Sequence, residues 1–138
     1  MKVKIFNFIL IALLAASCSS QKSFNSDLKK ELDEIMSLDQ GYREFFDSSI
    51  TNERRAELIK KFGIIEEQSK NWKIVTDQDA KNLIQIEKII AKYGYPGKSL
   101  VGEPANKAAW YVIQHSEGEI IGKYLPLIEK AAQKGEIP

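Results

Sequence analysis

Residues 93–116, YGYPGKSLVGEPANKAAWYVIQHS, decide the fold predicted for this chain. The segment contains three of the eight glycines, two of the four prolines and the only histidine, so one uninterrupted helix is excluded. Gly94 can adopt the left-handed conformation that ends a helix, and Pro96 cannot extend that helix. Pro104 suits the first turn of a new helix, which would end near His115. The segment therefore predicts a helix end, a structured loop and a second helix.

Helical periodicity continues on both sides of this segment. Apolar residues spaced three and four apart predict a first helix that begins near Ser26 and a second over 52–62. A third helix is predicted from a Thr76–Asp79 capping box to the 93–116 segment, and a last one over about 119–134. Pro126 should bend or divide the last helix, because it lacks a backbone donor. No run alternates long enough to predict a strand. The predicted fold is all-α, a single compact domain of five to six helices.

Residues 64–75 are compatible with two arrangements. They either extend the helix over 52–62 or form a short separate helix. Trp72 is predicted to pack in the core rather than to form a binding platform, because the apolar Ile74 and Val75 follow it.

A carboxylate interrupts the apolar stripe of the first helix. Asp39 occupies the position that completes the spacing set by Leu28, Leu32, Ile35, Tyr42 and Phe46. A carboxylate on a core-facing stripe must be hydrogen-bonded or paired, and Arg43 lies four residues further on, on the same side of the helix. Two interpretations remain open: an Asp39–Arg43 pair that fixes helix packing, or one wall of a ligand pocket formed by Asp39, Gln40 and Arg43.

His115 is the candidate general acid or base, because imidazole has the ordinary pKa nearest neutrality. It is either a structural histidine with satisfied ring nitrogens or part of a cleft that faces the first helix. We predict that Asp39 and Arg43 share one cluster with Gln114 or His115, so that the first helix packs against the helix of the 93–116 segment. The candidate ligand-binding residues are Asp39, Gln40, Arg43, Tyr95, Trp110 and Gln114, and the candidate catalytic residue is His115.

The runs YGYPG, SLVG and NKAAWYVIQHS within residues 93–116 resemble the motifs of an uncharacterised bacterial family, a domain of unknown function. Members of that family combine a G-[WY]-P loop, a V-G pair, an A-A-[WF] helix and a Gln-His pair. The D-Q-x-x-R motif that begins at Asp39 and the D-x-x-N pair that begins at Asp79 are similar to further motifs of the family. The resemblance extends over about residues 37–137. It favours the cleft interpretation and implies no particular activity.

The beginning of the chain predicts where the protein is located in the cell. Lys2 and Lys4 precede an apolar run over residues 5–16, which is shorter than the roughly 20 residues that span a bilayer. A basic start, a short apolar core and small residues before a cleavage site indicate a signal peptide. The sequence LAASC at residues 14–18 resembles a lipobox, with Cys18 as the lipidated residue. The alternative is an uncleaved signal anchor with an incidental cysteine.

These features set the predicted domains and location. We expect residues 1–17 to be a lipoprotein signal peptide, residues 18–25 a tether and residues 26–138 the helical domain. Acyl chains on Cys18 would hold the protein on the cell membrane at the periplasmic face. Ser19 after Cys18 resembles lipoproteins sent to the outer membrane.

Composition excludes several kinds of partner and chemistry. Removal of residues 1–17 takes away two lysines and leaves 18 basic against 19 acidic residues, which are interspersed, so nucleic acid is not a predicted partner. The single cysteine allows no internal disulfide, and the one histidine argues against a metal site. No cofactor is predicted, because the glycines of the 93–116 segment lack the spacing of a phosphate-binding loop.

Two functional classes remain. The favoured one is a lipid-anchored helical module of the cell envelope that binds a small ligand or a protein partner. The alternative is a hydrolase- or transferase-like enzyme that uses His115 as general acid or base with Asp39 and Arg43. The binding module is favoured, because the sequence offers one candidate catalytic histidine and no nucleophile motif.

Overall fold

The helices of the domain are given by a computed structural model, which describes residues 24–137. The six α-helices are α1 (Ser26–Phe45), α2 (Asn52–Phe62), α3 (Lys73–Tyr93), α4 (Lys98–Val101), α5 (Ala108–Gln114) and α6 (Gly118–Gln133). Short 3₁₀ turns occupy Gln68–Lys70 and Ala105–Lys107. No strand occurs between residues 24 and 137, so the all-α single-domain prediction is confirmed. The predicted signal peptide and all but the last two residues of the predicted tether lie outside the described residues.

Helix α1 is the central element, and it packs against α2, α3, α4 and α5. It begins at Ser26 as predicted, and Asn25 is its cap, because the side chain of Asn25 accepts a hydrogen bond from the Leu28 amide at 3.0 Å. Its stripe buries Leu28, Leu32, Ile35, Asp39 and Phe45. The helix continues through Gly41, where a Cβ atom would clash with the ring of Phe62 in α2. The glycine therefore lets α2 approach α1 closely.

Two hydrophobic clusters stabilise the fold. The larger one joins α1, α3, α4, α5 and α6 around Leu32, Ile86 and Ile113, none of which exposes measurable surface. The smaller one lies at the C-terminal end of α1, where Phe45 packs with Leu58 of α2 and with Ile64. The buried faces of α1 and α3 are therefore apolar along most of each helix. None of the described helices combines the length and the apolar character needed to cross a bilayer.

The 93–116 segment has the predicted helix–loop–helix form. Gly94 ends α3 with φ 73° and ψ −160°, and Gly102 ends α4 with φ 72° and ψ −178°. Both conformations belong to a region that glycine alone occupies without strain, so the prediction of a positive φ in this loop is confirmed. Gly97 has an ordinary φ of −80°, but a Cβ atom there would clash with the side chain of Glu136. The loop is compact because it contains α4 and a 3₁₀ turn.

Two details of the sequence prediction were wrong. Helix α3 begins at Lys73, so Thr76 and Asp79 lie inside the helix and form no capping box. The indole of Trp72 precedes α3 and is 51 % exposed, packing on the ring of Phe46 at 5.4 Å instead of entering the core. Of the two alternatives predicted for Pro126, a division of the last helix does not occur, since α6 is continuous through it; both Pro126 and the preceding turn at Gly122 are exposed, so water can satisfy the freed carbonyl.

Candidate functional site

The carboxylate of Asp39 is buried between α1 and the end of α5. Its side chain exposes no surface, and both of its oxygens have partners. Nδ1 of His115 lies 3.1 Å from Oδ1, and Nε2 of Gln40 donates to Oδ2 at 2.6 Å. The guanidinium of Arg43 lies 3.6 Å from Oδ1. The predicted cluster of Asp39, Arg43 and His115 is confirmed, and with it the packing of α1 against α5.

The position of Asp39 determines how the imidazole of His115 is oriented. A carboxylate facing Nδ1 favours a proton on that nitrogen, because the ionised oxygen can only accept a hydrogen bond. Nε2 then carries the lone pair and lies on the outer side of the ring. The side-chain amide of Gln114 lies 3.5 Å from it, at the limit of a hydrogen bond. The buried carboxylate thus presents a single acceptor nitrogen toward the surface.

Arg43 connects this pair to α3. Its Nη1 and Nη2 each donate to one oxygen of Asp79 at 2.8 Å, a bidentate arrangement with both side chains 20 % exposed. The guanidinium also donates to the backbone carbonyl of Asp39 at 3.2 Å. Since α1, α3 and α5 all contribute to the network, the relative positions of three helices fix its geometry.

A cavity of about 380 Å³ lies beside this network, and we call it the His115 cleft. Its polar lining comes from Thr76, Asp79, His115, Ser116 and Glu117, and its apolar lining from Ala80, Leu83 and Ile120. The two hydroxyl groups already donate to backbone carbonyls, Thr76 to Lys73 at 3.0 Å and Ser116 to Val112 at 2.9 Å. The cleft therefore combines carboxylates, one imidazole and an apolar wall.

Two predicted ligand-binding residues lie elsewhere. Tyr95 lines a different cavity, and its hydroxyl donates to the carbonyl of Asn106 at 3.0 Å. Burial raises the pKa of this hydroxyl. Trp110, which is 37 % exposed, lines a third cavity of about 280 Å³ with Ile128 on α6. The structure thus brings together five of the seven candidates, namely Asp39, Gln40, Arg43, Gln114 and His115.

The sequence prediction missed two acidic members of the site. Asp79 was expected to cap or pair locally, yet it binds Arg43 from another helix. Its signal is the spacing of α3, since Val75, Asp79, Asn82, Ile86 and Ile89 repeat the four-three pattern of α1. Glu117 is the residue before α6 and lines the cleft from the turn after His115. Nothing in its sequence context distinguishes it from other surface glutamates.

The site carries more negative than positive charge. Three carboxylates, those of Asp39, Asp79 and Glu117, stand against the one guanidinium of Arg43, which leaves an excess of negative charge while His115 is neutral. Among residues 24–137 no group of three or more histidine, cysteine or acidic side chains is placed to hold a metal ion. The site thus favours recognition through hydrogen bonds and charge.

Comparisons of the chain with protein-family models, with curated proteins and with solved structures find no match. The resemblance to a family of unknown function accordingly stays a prediction.

Proposed function

We propose that this chain is a lipid-anchored protein of the bacterial cell envelope whose helical domain binds a small ligand in the His115 cleft. The observation that carries the proposal is the 3.1 Å contact between the buried Asp39 and His115 at the wall of the cleft. Removing a carboxylate from water costs free energy unless the group is hydrogen-bonded. An apolar residue at position 39 could pack the helices without that cost. A charge retained there to orient an accessible imidazole is consistent with a recognition site.

The lining of the cleft favours a small organic cation. The carboxylates of Asp79 and Glu117 border the cavity, and the lone pair on Nε2 of His115 can accept a hydrogen bond. Leu83 and Ile120 supply an apolar wall for a short hydrocarbon part. An ammonium group on an apolar chain satisfies both features, whereas a carboxylate of the same length would be repelled.

Nuclear magnetic resonance of the single histidine tests this ligand class. We expect the ring signals of His115 to shift and saturate when butylamine is added, and to respond weakly to butyrate at the same concentration. Glu117→Gln should weaken the response to the amine. Glu66→Gln is the matched control, because Glu66 is exposed and pairs with Lys70 at the surface. Equal responses to the two compounds, or none to either, would contradict the proposed ligand class.

The anchor is tested independently. Mass spectrometry of protein extracted from bacterial membranes should show that residues 1–17 are absent and that Cys18 carries acyl chains. An intact N-terminus, or a Cys18 without lipid, would refute the lipoprotein part of the proposal and leave the ligand test unaffected.

A hydrolase- or transferase-like enzyme is the second candidate, and one observation favours it. A carboxylate that holds Nδ1 and leaves Nε2 outward is the arrangement in which histidine acts as a general base. Both hydroxyl groups in the cleft bond to backbone carbonyls, so water would be the nucleophile that His115 activates. This absence of a prepared nucleophile among the described residues is why the binding function is preferred.

A small activated ester, p-nitrophenyl acetate, distinguishes the candidates. If the site is enzymatic, the chain should hydrolyse the ester faster than buffer, and His115→Gln and Asp39→Asn should each remove most of the excess rate. Arg54→Ala, on an exposed part of α2, should leave that rate unchanged. A rate that is equal in all variants would exclude general-base catalysis by His115 of this ester.

A further inference from the structure

The first described residues, 24 and 25, lie at one end of the helical bundle. The backbone amide of Asn25 donates to the carbonyl of Leu100 in α4 at 2.9 Å, and the exposed Phe24 lies beside it. A cavity lined by Tyr93, Leu100 and Lys134 joins α4 to the ends of α3 and α6. The start of α1, all of α4 and the ends of α3 and α6 therefore lie together, and we call this region the N-terminal end.

The two tryptophans mark opposite ends of the domain. Trp110 lines a cavity with Ala132 and Ile137, which places it at the N-terminal end. Trp72 packs on Phe46, the residue that follows α1. Because α1 has 20 residues, its two ends are separated by about 30 Å at 1.5 Å per residue.

The N-terminal end exposes side chains that are typical of a membrane–water interface. The rings of Phe24, Tyr93 and Trp110 are 50 %, 38 % and 37 % exposed. Lysines lie near Tyr93 and Trp110, and the ammonium group of Lys92 lies 4.7 Å from the centre of the Tyr93 ring. Further lysines border the two cavities at this end, namely Lys107, Lys130 and Lys134. Aromatic rings and long lysine stems can bury apolar atoms while their polar tips stay among headgroups.

We propose that the N-terminal end of the domain rests on the surface of the phospholipid bilayer to which Cys18 is anchored. The inference relies on the proposed lipid at Cys18. Seven chain steps separate Cys18 from Asn25, and they span at most about 25 Å. That reach is shorter than the length of α1, so the tether cannot bring the opposite end onto the bilayer while the N-terminal end faces away.

This orientation determines how the His115 cleft meets its ligand. Asp39 lies 14 residues along α1 from Asn25, so the site is about 20 Å from the start of the helix. With the N-terminal end on the bilayer, the cleft opens in the half of the domain that faces the aqueous phase. The ligand is then a water-soluble molecule, and the lipid bilayer is a partner of a separate surface.

Fluorescence quenching in vesicles tests the orientation. The lipidated protein is extracted from membranes and reconstituted into phosphatidylcholine vesicles that contain a lipid spin-labelled near the headgroup. Trp72→Phe leaves Trp110 as the only emitter, and Trp110→Phe leaves Trp72 as the matched control. We expect Trp110 to be quenched several-fold more strongly than Trp72. Equal quenching, stronger quenching of Trp72, or no quenching of either would overturn the inference.

A second readout does not depend on these variants. Acylation of surface amines in wild-type protein should be several-fold slower at Lys130 and Lys134 in vesicles than in detergent, and unchanged at Lys70 and Lys73 near the opposite end. Equal changes at both pairs would contradict the orientation. Mass spectrometry of the same sample separates the two proposals. A Cys18 without lipid overturns the anchor and this inference together, whereas a lipidated Cys18 with equal quenching overturns only the inference.

Discussion

Replacement of Asp39 by alanine removes the centre of the network that joins α1 to α5. The side chain exposes no surface and receives hydrogen bonds from Gln40 and His115. Hydrogen bonds to a charged group contribute about 1.5–3 kcal/mol each. Breaking a buried charge pair costs about 3–5 kcal/mol when the remaining partner stays dry. Arg43 and His115 are about one-fifth exposed, and Arg43 keeps Asp79, so the partners can rehydrate.

The expected loss therefore lies at the low end of that range, about 3 kcal/mol. For a domain of this size it corresponds to a fall in melting temperature of roughly 10–15 °C. Urea denaturation followed by circular dichroism measures the free energy of unfolding directly. Arg54→Ala is the control, because Arg54 is exposed and pairs with Glu44 and Glu57 at the surface, where solvent screens such pairs. A loss for Asp39→Ala no larger than that of the control would show that position 39 is hydrated and would refute the argument.

Three further predictions concern residues outside the cleft. Gly94→Val should destabilise the domain by about 1–3 kcal/mol, because valine is strained at φ 73° and ψ −160°; an unchanged thermal melt would contradict this. Because burial raises the pKa of Tyr95, its contribution to stability is complete below about pH 10 and is lost as the pH rises further. Tyrosinate absorbance should show one late ionisation that Tyr95→Phe removes, and simultaneous ionisation of all tyrosines would exclude it. Asn82→Leu should be neutral or stabilising by about 1 kcal/mol in urea, because Nδ2 of Asn82 is buried without a partner among the described residues, and the half-buried Gln78 that donates to Oδ1 at 2.7 Å can turn to water; a loss above about 2 kcal/mol would contradict this.

Both the orientation of the first helix and the burial of its charged residue were predictable from the sequence. A four-three apolar spacing leaves only one orientation for α1, so a carboxylate at Asp39 had to be buried and paired. The partner on α3 was not predictable in the same way. The sequence analysis began α3 with a Thr76–Asp79 capping box, whereas the helix begins at Lys73, so Asp79 was interpreted as a local cap. An error of three residues at a helix start thus concealed the ion pair with Arg43.

Closeness in sequence was a poor guide to the composition of the cleft. Trp110 precedes His115 by five residues, which corresponds to about 140° around a helix, so the two side chains point to different sides of α5. Tyr95 belongs to the loop that ends at the opposite end of α5, and it packs on Asn106. Pockets assemble from several elements, and only tertiary packing determines which of their residues meet.

The tautomer of His115 is the most direct test of the central claim, that a buried Asp39 orients the imidazole at a cleft. Because the sequence has one histidine, a long-range proton–nitrogen correlation spectrum shows one ring without assignment work. For the neutral ring we predict a protonated Nδ1 and an unprotonated Nε2, and Asp39→Asn should reduce the population of that tautomer. A neutral ring protonated on Nε2, or a tautomer unaffected by Asp39→Asn in a folded variant, would contradict the claim.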